Sequence, residues 1–400
     1  MAAVLKSLFI EDENEVNFDS FINFPISCFK LIFFSFVRPE RSASIREKLF
    51  YNIRLTYFRV LMVLFVLCLA LIIAYAVIEA EDFVNATMVI PDAATTILII
   101  MKSFITYWRR DEIWEICEEL GILSNGRSAT DITKYGIANH LKEYLRGMRI
   151  FTVMYASVFG PFVLQIIAYL IYGKRELMVK YWFPFDEYDP GNYPFALLFS
   201  AVMNWNYITF FVSTDSMMYT LMTVLAMEFD ILRIDFMNLG ASDVVEMKEK
   251  MKNLIKHHLR LLNYADKLQE IYGVLLLYDF VIGSMMICVL AFQFLIAKGL
   301  FTSVYIASYL SVIFCRIFFL CYKGQKVADN SSEIVQGVYF SGWENFTDIK
   351  LNKQMLLIMI RSQRPKFLTA LGFADVSLEN FSKCKLTRIK NLLNKSADYY

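Results

Sequence analysis

Six long apolar runs set the layout of this chain, and a seventh, interrupted one closes it. A helix needs about 20 mostly apolar residues to cross a bilayer. Runs of that kind predict spans at roughly 58–80, 84–108, 149–172, 193–227, 272–297 and 299–322. The clearest lies between Leu61 and Ala80, where Glu79 is the sole charge. The seventh span, 368–392, is preceded by an apolar helix-like stretch from Met355 that Arg361, Arg364, Pro365 and Lys366 interrupt. A simple anchor would not carry that break. It predicts a helix that leaves the lipid, turns and re-enters.

Helical periodicity continues past the bilayer between the spans, over 228–271 and 323–367. Met247, Met251, Leu254, Leu261 and Leu262 recur at helical spacing between charges. A helix over 245–297 would be about 80 Å long at 1.5 Å per residue, against a hydrocarbon core of about 30 Å. The surplus predicts a bundle beneath the membrane part, in an all-α, seven-span protein with residues 1–400 as one domain.

Charge then orients the chain. Lys and Arg concentrate on cytoplasmic loops. Here they crowd the segment before the first span (Arg38, Arg41, Arg46, Lys48, Arg54), the loop with Arg109, Arg110, Arg127 and Lys134, and the loop from Arg233 to Lys267. The stretch 79–86 has none. The reading is a cytoplasmic N-terminus, the reverse of a G-protein-coupled receptor. It puts the sequons at Asn85 and Asn394 outside, with Asn85 as the glycosylation candidate, and those at Asn330 and Asn345 inside.

Composition agrees. The chain is 57% hydrophobic and 20% charged, with a net charge of +1. The first two values lie on the membrane side of ordinary usage, and the third argues against a nucleic-acid partner. Seven irregularly spaced cysteines and three histidines give no metal site or disulfide framework, and the polar residues 11–20 argue against a cleaved signal peptide. No catalytic motif and no cofactor fingerprint is present, so no enzyme activity is expected.

Charges inside spans are functional suspects. Asp215 is flanked by Ser213, Thr214 and Ser216, which could hydrogen-bond it; Asp279 sits midway along its run and could pair with a neighbouring span; Arg316 is expected to snorkel to the cytoplasmic edge. The outer halves of the spans mix aromatics and Met with small hydroxyls. Met88, Tyr155, Phe159, Phe162, Met203, Tyr207, Met285, Tyr305 and Tyr309 are the candidate lining of a cavity for a small apolar ligand, each with helix packing as its alternative.

Several stretches resemble one family. They are TYFRVL entering the first span, YWFPFDEYDPGNYPFALLF at Tyr181–Phe199, DSMMYTLMTVLAMEFDIL at Asp215–Leu232, and LNYADKLQEIYGVLLLYDFVIGSMMICVLAFQFL at Leu262–Leu295. ADNSSEIVQGVYFSGWENF and MLLIMIRSQRPKFLTALGFADVSLENF complete the set, with Tyr339, Trp343, Arg361, Gln363, Pro365 and Phe381 in place. The chain resembles an insect odorant receptor of the odour-specific, tuning type. The resemblance implies a heterotetrameric, non-selective cation channel built with a co-receptor subunit in the plasma membrane of an olfactory sensory neuron. It implies a small volatile organic ligand in the outer halves of the helices and no cofactor. It also implies a split last helix: Arg361, Gln363 and Pro365 would belong to the anchor half and its turn, while Val376 to Phe381 would begin the pore half. A gustatory receptor-type channel is the alternative; a polytopic enzyme, a transporter or a G-protein-coupled receptor fits less well.

The end departs from the family pattern. Lys383, Lys385, Arg388, Lys390 and Lys395 fall where a cation path should be lined by uncharged groups, and like charge repels permeating cations. Assemblies in which most subunits carry this tail should conduct poorly. Currents recorded with the co-receptor should rise when 383–400 are exchanged for an apolar pore end, and unchanged currents would refute this.

Overall fold

The computed structural model describes residues 18–382, apart from 40–41, 43, 79–82, 126–128, 174, 176, 178, 240–243, 298–299 and 344–347. The chain is all-α. Its helices are α1 (Phe18–Leu31), α2 (Ile45–Ile78), α3 (Phe83–Trp108), α4 (Arg110–Asn125), α5 (Ala129–Lys134), α6 (Ile137–Tyr172), α7 (Tyr193–Met237), α8 (Val244–Ile296), α9 (Leu300–Tyr339) and α10 (Ile349–Ser362). Among the described residues, six of these (α2, α3, α6, α7, α8 and α9) are long and apolar enough to cross a membrane.

The burial pattern explains the arrangement. α7 is enclosed on every side: nearly everything from Thr209 to Phe229 is buried. A helix apolar all round must sit inside a bundle. α2 is its opposite, with Val60, Val63, Val66, Leu67, Ile73 and Val77 exposed, as a lipid-facing helix requires. α7 and α9 approach closely because Gly337 has no side chain; a Cβ there would lie 2.4 Å from the Arg233 carbonyl oxygen. Beside this contact Asn330 donates to the Ala226 carbonyl at 2.8 Å, which gives the sequon asparagine a structural role. α1 packs against α7 with Phe21, Phe24 and Phe29 buried.

The extensions of α7, α8 and α9 run on beyond the apolar runs, α8 for 53 residues in all. α10 packs on α9, with Leu351, Met355, Ile358 and Met359 inward. Its N-cap Asp348 accepts from Lys350 N at 2.8 Å and pairs with Lys248 of α8 at 2.6 Å.

The seventh span does not start where the sequence pattern put it. Residues 363–377 are not helical, and helix resumes only at 378. Between them the chain folds into a small hairpin with an antiparallel bridge from Thr369 to Asp375 and a turn at Leu371 and Gly372, both at positive φ. The Gln269 side chain of α8 holds it, donating to Thr369 O at 2.7 Å and accepting from Thr369 N at 2.6 Å. Apolar content mimicked a helix here because the hairpin is itself partly buried, with Leu368, Ala370 and Val376 in the core. The rest of that span, 383–392, and the basic tail lie outside the described residues.

Arg361 ends α10 and donates to the Arg364 carbonyl at 3.2 Å. It also faces His258 of the α8 extension. Burial, helped by Arg361 and His257, pushes His258 down to about 4. A base held neutral in the fold but free to protonate when unfolded stabilises fully above about pH 6.5, and that stability is lost as pH falls toward 4. Unfolding of the detergent-purified chain should therefore become easier by up to roughly 3 kcal/mol between those pH values from this group alone. The slope should flatten in His258→Gln; an unchanged slope in thermal unfolding scans would count against the assignment.

Candidate ligand cavity and buried charge cluster

A cavity lies among α3, α6, α7, α8 and α9, lined also by the loop before α7. The centre of a water-sized sphere has about 70 Å³ to move in, on the order of five waters. Its wall combines Tyr155, Tyr207, Tyr305, Tyr309 and Phe211 with Val158, Ile208, Met286, Val312 and Ile313, and with Asp92, Thr95, Asn204 and Arg316. Val179 and Tyr181 come from the loop, which is tied to α2 by Trp182 N donating to Leu71 O at 3.1 Å.

Local structure shapes the upper wall. Pro91 has no N–H, so the Thr87 carbonyl one turn earlier lacks its helical donor. Gln293 of α8 supplies one, at 2.7 Å. One turn on, Thr95 donates to Pro91 O at 2.8 Å and hydrogen-bonds the Tyr309 hydroxyl. Thr96 meets the Tyr207 hydroxyl at 3.1 Å. These bonds hold the hydroxyls of two tyrosines that line the wall.

The structure brings Tyr155, Tyr207, Tyr305 and Tyr309 together on that wall. Phe162 lies behind it, edge-on to Tyr305 at 6.3 Å. Met203 is buried in the core and does not line the cavity; Met88 is half-buried and off the wall. Met285 is 43% exposed and faces outward, its place taken by Met286. The period of α8 explains this: one residue turns a side chain by about 100°. The side chains of Asn85 and Phe159 lie outside the described residues.

Below the cavity is a charge cluster in which Asp279 pairs with neighbouring spans as expected, but which includes a residue that sequence reasoning missed, Lys102. Lys102 of α3, 2% exposed, ion-pairs with Asp215 of α7 and stands 3.1 Å from Asp279 of α8. Arg316 of α9 reaches Asp279 at 3.2 Å. Two cations thus balance two carboxylates across four helices. The ring of Phe211 lies against both cations, 5.9 Å from Lys102 Nζ and 5.2 Å from Arg316 Cζ. Two expectations are corrected here. Arg316 does not snorkel; it is 5% exposed and turned inward, because Asp279 offers a counter-charge at the same depth. Ser213, Thr214 and Ser216 do not hold Asp215, because each hydroxyl bonds back to a carbonyl of its own helix, at Thr209, Phe210 and Ser213. A single Lys in the run ILIIMKSFITYW was the available signal for the missing partner.

Arg316 belongs to both cavity wall and cluster. Further along the same helix, Gly324 receives the hairpin: a Cβ there would lie 2.4 Å from the Val376 carbonyl oxygen. Val376 is fully buried in that seat, and Phe381 beyond it meets Phe318 of α9 edge-on at 5.9 Å. Gln363 and Pro365 are exposed on the turn before the hairpin. One helix therefore carries the cavity wall, the charge cluster and the start of the last helix.

The 7tm Odorant receptor family matches residues 82–386, which include every element of this arrangement. The chain belongs to that family. These are receptors of insect olfaction and not enzymes. The chain is similar to odorant receptor 85c of Drosophila melanogaster, 23% identical over 74% of this chain and 78% of the relative. It is 25% identical to odorant receptor 85b of the same species over 76% of this chain and 80% of the relative. In fold it resembles the insect olfactory receptor OR5 from Machilis hrabei, solved in complex with eugenol. The TM-score is 0.82 at 16% identity, covering 93% of this chain and 96% of the other. The N-terminal helix α1 lies before the family match and within the fold of this odorant receptor.

Lys102→Met would leave Asp215 buried without its cation. Breaking a buried pair in this way costs about 3–5 kcal/mol. Loss of surface expression or a large fall in the unfolding temperature of the purified odorant receptor is expected. The double change Lys102→Met with Asp215→Asn should recover part of it. A stable single variant would contradict the burial of the pair.

Proposed function

We propose that this chain is the odour-specific subunit of a ligand-gated, non-selective cation channel, with the N-terminus cytoplasmic and the assembly a heterotetramer with the co-receptor. It works in the plasma membrane of an olfactory sensory neuron. The observation that carries this reading is the shared use of α9. A small volatile ligand in the cavity presses on Tyr305, Tyr309 and Val312 of the helix that also seats Val376 at Gly324. A displacement there reaches the beginning of the last helix through packed contacts.

The exposed side of the anchor supports the assembly. Leu356, Leu357 and Ile360 of α10 are all at least half exposed, beside Tyr339 and Phe340. An apolar face of that size outside the lipid calls for a protein partner, and the co-receptor fits that place. In this orientation Asn85 is an outward sequon and the glycosylation candidate.

Odour-evoked currents should appear in cells that express this chain with the co-receptor and be absent with either alone. Val312→Phe should fill the cavity and raise the half-activating concentration on the order of tenfold, equivalent to about 1.4 kcal/mol, with surface expression retained. A protease-accessible tag at the extracellular side of the N-terminus, or a response without the co-receptor, would overturn the orientation or the assembly respectively.

A further inference from the structure

We propose that the chain binds a phosphoinositide headgroup in a basic pocket at the cytoplasmic end of α2, with the acyl chains of the lipid along the exposed face of that helix. The pocket is open, about 450 Å³ in volume, and lies between the segment after α1 and the first turns of α2. Arg38 comes from the segment, and Tyr51 and Arg54 from the helix. The charges here are unevenly matched. Asp111 of α4 is shared, ion-paired with Arg38 and 3.5 Å from Arg110 Nε. Glu47, the carboxylate on the pocket wall, is committed to the start of its own helix. It accepts from Ser44 N at 3.1 Å, and the Ser44 hydroxyl accepts from Glu47 N at 3.3 Å, a reciprocal cap. The Arg54 guanidinium lies 4.3 Å from the centroid of the Phe50 ring and pairs with no carboxylate among the described residues. Arg46 and Lys48 add positive charge on the adjoining turn. Guanidinium forks match the oxygens of a phosphate two at a time.

The surroundings of the pocket decide where the phosphate comes from. The 34 residues of α2 are about 51 Å long, against a hydrocarbon core of about 30 Å. The unbroken apolar run of this helix starts only at Leu61, so its lower turns lie at headgroup level. Ile45, Leu49, Ile53, Tyr57 and Val60 are nonetheless exposed, at spacings that continue into the lipid-facing Val63 and Leu67. One face of α2 thus stays apolar from the bilayer down to the pocket. That combination fits a molecule with an anionic head and hydrocarbon tails, and basic clusters just cytoplasmic of a span attract anionic lipids. A phosphate monoester carries close to two charges and three acceptor oxygens. Two guanidinium groups in a pocket this wide therefore favour a phosphorylated inositol over a serine headgroup. The leaflet follows from the cytoplasmic N-terminus proposed above; binding in detergent does not depend on it, so the two readings can fail separately.

The test titrates the full chain, purified in detergent, with dioctanoyl phosphatidylinositol bisphosphate, dioctanoyl phosphatidylserine and free inositol trisphosphate, and reads binding by thermophoresis. The bisphosphate lipid should bind saturably and about tenfold or more tightly than either of the others. Arg54→Gln should weaken it roughly tenfold, the value of one charge-assisted hydrogen bond, and Arg54→Lys should recover only part, because the charge returns without the fork. Arg38→Gln should weaken it from the opposite wall. Lys252→Gln, which removes an exposed cation of the α8 extension paired with Glu249, should leave the affinity unchanged. Unfolding temperatures measured without lipid check that each variant is folded. No saturable binding, a serine lipid bound as tightly, or equal losses in Arg54→Gln and Lys252→Gln would overturn the inference. Free inositol trisphosphate bound as tightly as the lipid would overturn the lipid as the occupant.

Discussion

Much of this structure depends on Lys102 lying between Asp215 and Asp279 in the apolar interior. Moving a single charge out of water costs several kcal/mol even after relaxation. The three groups, joined by Arg316, meet that cost collectively, and the geometry that does so admits one arrangement of four helices. A register shift of one residue in α3, α7, α8 or α9 would turn a charge toward lipid or into a hydrophobic contact. The cluster therefore acts as a lock on register, where apolar packing alone would tolerate slippage.

Around this lock, small residues and amide side chains place the neighbouring elements. Gly337 brings α9 against α7, and Gly324 brings the hairpin against α9, in each case because a Cβ would fall within 2.4 Å of a carbonyl oxygen. Gln269 treats the Thr369 backbone as a neighbouring strand would, satisfying both its N–H and its C=O. Buried backbone outside a helix must be satisfied by something, and this amide lets a non-helical segment survive between two helices. The cavity, the cluster and the hairpin then share α9.

The cavity wall shows a similar economy. Pro91 frees a carbonyl in α3, Gln293 satisfies it, and hydroxyls one turn on hold Tyr207 and Tyr309 in place.

The residues alone determined the class of protein, because membrane solvation is a composition-level constraint: six runs of about 20 apolar residues can scarcely be anything but helices. Period and charge likewise made the long extensions of α7, α8 and α9 legible, and the family motifs pointed to the family. α1 was not legible, since 14 apolar-rich residues are too few to span and their burial comes from α7. Nor was the hairpin, whose apolar residues read as helix until Gln269, distant in sequence, paired with its backbone. Four of the proposed tyrosines meet on the cavity wall, while Met285 turns away from it, because which side of a helix faces inward is set by its neighbours and not by its own letters. The partners of Asp215 and Asp279 were decided in the same way. A carboxylate in an apolar run announces that it needs a counter-charge, but only packing at a common depth chose Lys102 and Arg316 to supply it.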